Sequence, residues 1–173
     1  MVLENRFNKL IEARHGTILY NKNDIYIGKS IEKYGEFSYL EAKIFEQICK
    51  AGDVVIEVGA NIGAHTLYLS KLVGNGYVFA FEPQRLVFQN LCANLALNSI
   101  SNVFAYQEAV SNENGTIIIP ECNFKENNNF GGINIENTKN GTTVNRQKLD
   151  NFLNKINRLK LLKIDVEGME ILV

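Results

Sequence analysis

Cysteine is scarce and scattered in this sequence. Cys49, Cys92 and Cys122 are odd in number and far apart. They show neither zinc-ligand spacing nor the density of a disulfide framework. That usage suits a reducing compartment, and the expected location is cytoplasmic. No apolar run reaches about 18 residues, so no transmembrane helix and no membrane partner are expected. The opening Met1-Val-Leu-Glu-Asn-Arg lacks the charged-then-apolar order of a secretory signal. Charge of one sign is also missing. Eighteen Lys and Arg stand against 19 Asp and Glu, for a net charge of −1. Without a basic stripe, nucleic acid is not an expected partner. The 173 residues suffice for one domain that buries about 70% of its unfolded surface.

What is present centres on Asp53 to Glu82. The stretch reads Asp53-Val-Val-Ile-Glu-Val-Gly-Ala-Asn-Ile-Gly63. Its apolar run predicts a parallel strand covered on both faces, interrupted near its carboxyl end by Glu57. Gly59 and Gly63 permit a tight turn and close approach of backbone to a ligand. Ile62, Leu69, Leu72 and Val73 follow at helical spacing, and Gly74-Asn75-Gly76 stops that helix. A second apolar strand ends in Glu82-Pro83. The result is a βαβ unit with a glycine turn and carboxylates at two adjacent strand ends, a nucleotide- or nucleoside-binding layout.

A dinucleotide fingerprint needs Gly-x-Gly-x-x-Gly, so that backbone can approach a pyrophosphate. The matching positions here are Gly59, Asn61 and Ala64. The middle and third glycines are missing, which argues against an NAD-dependent oxidoreductase, the rival in the same fold class. A cofactor without phosphates does not impose that demand, and S-adenosylmethionine is one. Its carboxylate is expected at the helix N-terminus near Gly63. Its ribose diol is expected at Glu82, and its ammonium end within reach of Glu57. The candidate cofactor residues are Glu57, Gly59, Ala60, Asn61, Gly63, His65, Glu82, Pro83, Glu108 and Ala109. His65, two residues past Gly63, could touch cofactor or acceptor, but an exposed helix histidine is the preferred reading.

Elsewhere, residues 1–16 are weakly patterned and read as a short helix. Thr17–Tyr20 and Asp24–Ile27 flank Asn21-Lys-Asn23 and read as a hairpin. Leu40, Ile44 and Ile48 recur at i+4 as the apolar side of a helix that Gly52 ends. After Pro83, the residues Val87, Leu91 and Leu95 predict another helix. Asn102–Gln107 reads as a third parallel strand, with Glu108 and Ala109 at its end, where an adenine would lie. Thr116–Ile119 and Thr142–Val144 read as short paired strands. The long polar stretch between them reads as a lid or substrate loop anchored by Phe130 and Ile133. Leu149, Phe152, Leu153 and Ile156 mark a short helix. Leu159–Asp165 is the fourth parallel strand. If it neighbours the first, Asp165 faces the same crevice as Gly59; the plainer reading is that Asp165 caps the next helix.

These residues resemble the FkbM family of S-adenosylmethionine-dependent methyltransferases. The resemblance rests on Asp24-x-Tyr26-Ile-Gly28 with Tyr34-Gly-Glu36, on Glu57-Val-Gly-Ala-Asn-Ile-Gly63, on Phe81-Glu-Pro83, on Asn94 with Asn98, and on Lys163-Ile-Asp-Val-Glu-Gly-Met-Glu170. It implies a Rossmann-like α/β sheet, helices on both faces, with strand order 3-2-1-4-5-7-6. It also implies O-methylation of a small molecule or sugar hydroxyl. Glu57 stands where the family more often has aspartate. The expected organisation is an N-terminal hairpin and helix over 1–50 and a cofactor-binding domain over 51–173.

An alcohol acceptor must lose a proton on methylation. Asp165 is the candidate base or metal ligand and Glu167 the second, although no spacing demands a metal. Family members continue past the fourth strand, where this sequence stops. The fourth strand is therefore expected to lack a neighbour and to expose an apolar edge prone to self-association. On that reading, residues 1–173 alone show no methyl transfer, and a non-catalytic fragment or binding module is the rival of a different class.

Overall fold

The β-branched and aromatic runs become strands, and the glycines set where they turn. The computed structural model describes residues 3–133, 140–156 and 158–173, without the side chains of Leu153 and Lys155. A parallel sheet forms from β4 (Val54–Val58), β5 (Tyr77–Phe81), β6 (Val103–Tyr106) and β10 (Leu159–Ile164). Its order is β10-β4-β5-β6, the 3-2-1-4 portion of the expected topology. Register pairs Glu57 with Lys163 and with Ala80, so these three positions share a face.

The two faces of this sheet are covered unequally. One carries α2 (Tyr39–Ile48), α3 (Ala64–Val73) and α4 (Arg85–Leu97). Val55, Val78, Leu69, Val73, Phe45 and Cys49 close one cluster there, and Ala80, Leu67, Val87 and Leu91 a second. Each Val, Leu or Phe among them contributes about 1.5–3 kcal/mol when fully buried. The other face has Ile56, Val58, Phe79 and Phe81 beneath Phe152 of a 3-10 helix, Leu149–Lys155. Phe152 meets Phe81 edge-on at 5.0 Å.

The N-terminal region corrects the sequence reading. Residues 3–13 are strands, not a helix: β1 (Leu3–Glu4) and β2 (Asn8–Ala13). The hairpin exists one strand earlier than expected, because β2 pairs with β3 (Gly16–Asn21). Asp24–Ile27 is no strand. The Asp24 carboxylate accepts the Tyr26 N–H at 2.9 Å, and the chain turns into α1 (Ile27–Tyr34). That local bond offers the backbone an alternative to a ladder.

β3 is an edge strand, and α4 completes it. Asn94 accepts from Leu19 N at 2.6 Å and donates to Leu19 O at 3.0 Å; Asn98 accepts from Thr17 N at 2.9 Å and donates to Thr17 O at 2.7 Å. Four residues of helix rise about 6 Å, and two residues of strand span about 6.7 Å. An i, i+4 pair of amides therefore matches alternate residues of a strand. Asn94 also donates to Ile62 O at 2.8 Å, which ties β3 to the glycine turn.

In α2 the inward residues are Ala42 and Phe45, with Cys49 at its end. Leu40 and Ile44, expected on the apolar side, are exposed. The helix is rotated because Phe45 must meet α3. Further on, β7 (Ala109–Val110), β8 (Gly115–Ile119) and β9 (Thr142–Gln147) form a small sheet ordered β7-β9-β8, and β8 and β9 pair as expected. No described strand lies beyond β10, and Leu159 and Leu162 are exposed along it.

Candidate functional site

The glycine turn between β4 and α3 is closed by its own hydrogen bonds. Gly59 and Ala60 N–H both donate to Phe81 O at 2.9 Å, and Gly63 N–H donates to Ala60 O at 2.9 Å. Asn61 N–H donates to Glu82 Oε2 at 2.9 Å, and Ile62 N–H to Asn61 Oδ1 at 2.8 Å. Gly59 adopts φ +82°, and a Cβ there would sit 1.9 Å from the Asp165 carbonyl oxygen. Only glycine lets the end of β10 lie against the turn. Asn61 holds φ +51°, a conformation that asparagine tolerates better than most residues.

Around the turn lies a cavity of about 300 Å³. Among the expected site residues, Glu57, Gly59, Ala60, Asn61, His65, Glu82, Asp165 and Glu167 line it. Pro83, Glu108 and Ala109 lie further along the strand ends, in a small apolar slot with Val166 and Met169. Gly63 is not on the lining. Its φ of +86° serves the turn, and a Cβ would meet the Leu91 side chain at 2.6 Å.

Glu82 is buried at the end of β5. One of its oxygens takes Asn61 N–H, and the other takes Gln84 N–H at 2.9 Å. Each oxygen keeps a lone pair for a further donor. Burial pushes its carboxyl up to about 7, against the pull of those two N–H groups. Glu57, also buried, accepts from Thr66 Oγ1 at 2.6 Å. Lys163 stands between Glu57 Oε1 at 3.7 Å and Asp165 Oδ2 at 3.5 Å.

Asp165 leaves the end of β10 with about half its side chain exposed, and its N–H donates to Val58 O at 3.0 Å. It caps no helix. The next helical turn is the 3-10 segment Glu170–Leu172, where Glu170 itself takes the N–H groups of Val166 and Gly168. Glu167 is held at φ +53°. Burial, then repulsion from Asp165 and Glu170, raises its carboxyl above the usual range.

His65 is not an exposed helix histidine. Its ring is buried between Phe37, at 5.6 Å, and Phe45, at 5.2 Å. Its Nε2 lies 3.1 Å from Glu41 Oε2. That hydrogen bond is the largest of the influences that hold the Glu41 carboxyl down at about 2. The packing of α2 on α3 encloses the ring.

Sequence reasoning missed Lys163, Glu41, Phe37, Ser38 and Tyr26, all of which line the cavity. A lysine inside the apolar run Leu161-Leu-Lys-Ile164 was a signal for the first. The others come from α1, α2 and their connection, and depend on the rotation of α2. The polar loop after β8 is fastened across the site. Phe130 is buried and stacks on Phe124 at 4.6 Å, and its carbonyl accepts from Gln84 Nε2 at 2.8 Å. Asn128 exchanges backbone bonds with Asn23 and Ile25, at 3.0 Å each. Asn129 and Gly131 then line the cavity, and Ile133 a smaller one beside Gln84 and Asp165.

These features suit S-adenosylmethionine. A buried strand-end carboxylate with spare lone pairs suits a ribose diol. The slot at Glu108 and Ala109 is apolar enough for a purine but narrow, and Met169 is the adaptable side chain on its wall.

Over residues 57–173 the sequence matches the methyltransferase FkbM domain. Methyltransferase 1 of Beauveria bassiana is 27% identical over 138 residues, covering 67% of this chain and 55% of the relative. Methyltransferase sdnD of Sordaria araneosa is 26% identical over 173 residues, covering 79% of this chain and 67% of the relative. A solved methyltransferase dependent on S-adenosylmethionine, from Aquifex aeolicus, is 28% identical and aligns with 45% of this chain and 40% of its own, with a TM-score of 0.38. The chain thus spans between about half and two thirds of the length of the curated relatives it matches. With the FkbM domain covering most of its length, the chain belongs to the FkbM family of S-adenosylmethionine-dependent methyltransferases.

Proposed function

We propose that the protein transfers a methyl group from S-adenosylmethionine to a hydroxyl oxygen of a small molecule or sugar. The observation that carries this reading is the convergence of three strand ends on one cavity. β4 brings Glu57 and Gly59, β5 brings Glu82, and β10 brings Asp165. Bound S-adenosylmethionine supplies an electrophilic methyl on a sulfonium. The residues must align the acceptor oxygen with that methyl, and alignment supplies much of the rate.

Glu82 takes the ribose diol and Glu57 the ammonium end. Pro83, Glu108 and Ala109 border the base. Asp165, half exposed and one ion-pair distance from Lys163, accepts the acceptor's proton, with Glu167 beside it. Tyr26, Phe37, Ser38 and Glu41 form the acceptor side. The lining holds five carboxylates, Glu41, Glu57, Glu82, Asp165 and Glu167, against Lys163 and His65. This balance favours a cationic cofactor and a neutral acceptor, and disfavours nucleic acid.

Isothermal titration of S-adenosylmethionine and S-adenosylhomocysteine into the protein tests the cofactor side. Micromolar binding of both is expected, and no heat from either overturns the reading. Labelled-methyl incorporation into a panel of hydroxylated acceptors then tests the transfer. We also propose that residues 1–173 self-associate through the open edge of β10, where Leu159 and Leu162 are exposed. A monodisperse monomer on size-exclusion chromatography at high concentration overturns that.

A further inference from the structure

The cofactor's amino-acid end carries an ammonium and a carboxylate, and the carboxylate needs a donor. A glycine turn before a helix is the ordinary place to find one. Here the turn itself has none to offer, which leaves the N–H groups of Ala64 and His65 at the start of α3 as the backbone alternative. The N–H groups of Gly59, Ala60, Asn61, Ile62 and Gly63 are each committed, to Phe81 O twice, Glu82 Oε2, Asn61 Oδ1 and Ala60 O.

Lys163 is the one lysine or arginine on the cavity lining among the described residues. Only about 8% of its side chain is exposed. Its neighbours, Glu57 at 3.7 Å and Asp165 at 3.5 Å, are at ion-pair distance but beyond good hydrogen-bond length. An ammonium has three donors. Two carboxylates thus hold the charge in place while its donors stay available to the cavity. The charged row Glu57, Lys163, Asp165 alternates in sign, as a zwitterion requires of its binding partner.

We propose that Lys163 binds the carboxylate of the cofactor's amino-acid end, while Glu57 takes the neighbouring ammonium. The inference rests on the proposed cofactor reading and adds to it a binding residue and a direction for the ligand. The charged and polar groups facing this row are Thr66 and His65 from α3, Glu82 from β5 and Glu41 from α2. Of these, only His65 could supply a second cation. Its Nε2 is already directed at Glu41.

The test compares S-adenosylmethionine with its decarboxylated form by calorimetry, in the wild type, Lys163→Gln and Lys163→Arg. A charge-assisted hydrogen bond predicts that the wild type prefers the carboxylated ligand by about 10- to 100-fold. Lys163→Gln should cut that preference to less than about threefold, and Lys163→Arg should keep most of it. A lysine that only stabilises the fold would weaken both ligands equally and leave the preference intact. That result overturns the proposal and moves the carboxylate to the N–H groups of Ala64 and His65. Equal wild-type affinity for the two ligands overturns it without any variant, so a misfolded substitution cannot rescue it. If the wild type binds neither ligand, the cofactor reading itself has failed.

Discussion

The cavity has two walls, built from different material. The wall at the ends of β4 and β5 is backbone. Every N–H from Gly59 to Gly63 has a partner inside the wall, and the two carboxylates it presents are buried. The opposite wall is side chain. Tyr26 is mostly exposed, Ser38 sits at a left-handed helix cap, and Glu41 is held by side-chain bonds to His65 and Ser38. A backbone wall keeps its shape through most single substitutions, because its geometry is fixed by strand pairing. A side-chain wall changes with each one. The difference teaches where side chains can vary without loss of the fold: on the α1–α2 side, away from the glycine turn, which is the acceptor side of the proposed site.

Asp165 stands between the walls, so it gives the sharpest test of the division. In a complete enzyme of the family, the change Asp165→Asn should lower kcat by about 10²- to 10⁴-fold, the usual contribution of a positioned base, with the Kd for S-adenosylmethionine changed by less than about threefold. Single-turnover kinetics with any acceptor that supports transfer, alongside calorimetry, separates the two. Normal turnover in the variant would remove Asp165 from the chemistry.

Gly59→Ala attacks the backbone wall directly. Left-handed backbone costs about 1–2 kcal/mol for a residue with a Cβ, and the clash with the Asp165 carbonyl adds about 1–3 kcal/mol of overpacking. A loss of about 2–5 kcal/mol in urea unfolding is expected, together with loss of cofactor binding. An unchanged midpoint would show that β10 can move away from the turn. Glu41→Gln, on the other wall, should leave cofactor Kd within about twofold. It should raise the acceptor KM by about tenfold, the worth of one hydrogen bond to a charge. A change in cofactor affinity instead would place Glu41 on the cofactor side.

The backbone wall was largely legible in the sequence, and the other was not. Glu57, Gly59 and Glu82 belong to one contiguous βαβ unit, whose local spacing already fixes their neighbourhood. The order of the parallel strands came from the family resemblance and not from spacing, and the four described strands follow it. Failures came where a tertiary contact outweighs local pattern. Leu40 and Ile44 look like an inward stripe, yet Phe45 turns inward to meet α3, and Glu41 comes with it to His65. The strand at Asn8–Ala13 was hidden because its sequence lacks alternation. Asn94 and Asn98 were visible as a pair, but their purpose depends on the edge of β3, more than 70 residues away in sequence.

The last expected effect concerns pH and is read on the backbone wall. Burial pushes the Glu82 carboxyl up to about 7 in the folded protein, against 4.5 in the absence of structure. Between those values the folded state holds a proton that the unfolded chain has released. Stability should therefore fall as pH rises from about 4.5 to about 7, by on the order of 3 kcal/mol in all for this one group. Cofactor binding should run the opposite way. Asn61 N–H, Gln84 N–H and a ribose diol all donate to Glu82 and all favour its ionised form. Affinity for S-adenosylmethionine should improve by about tenfold between pH 6 and pH 8, since the fraction ionised grows by about that factor. Glu82→Gln should bind more weakly and lose this tenfold rise over the same range. Glu41, held down at about 2 by His65, does not titrate in this window. A wild-type profile that stays flat while Glu82→Gln still loses affinity would mean that Glu82 is ionised throughout, held so by the two N–H groups of the wall itself.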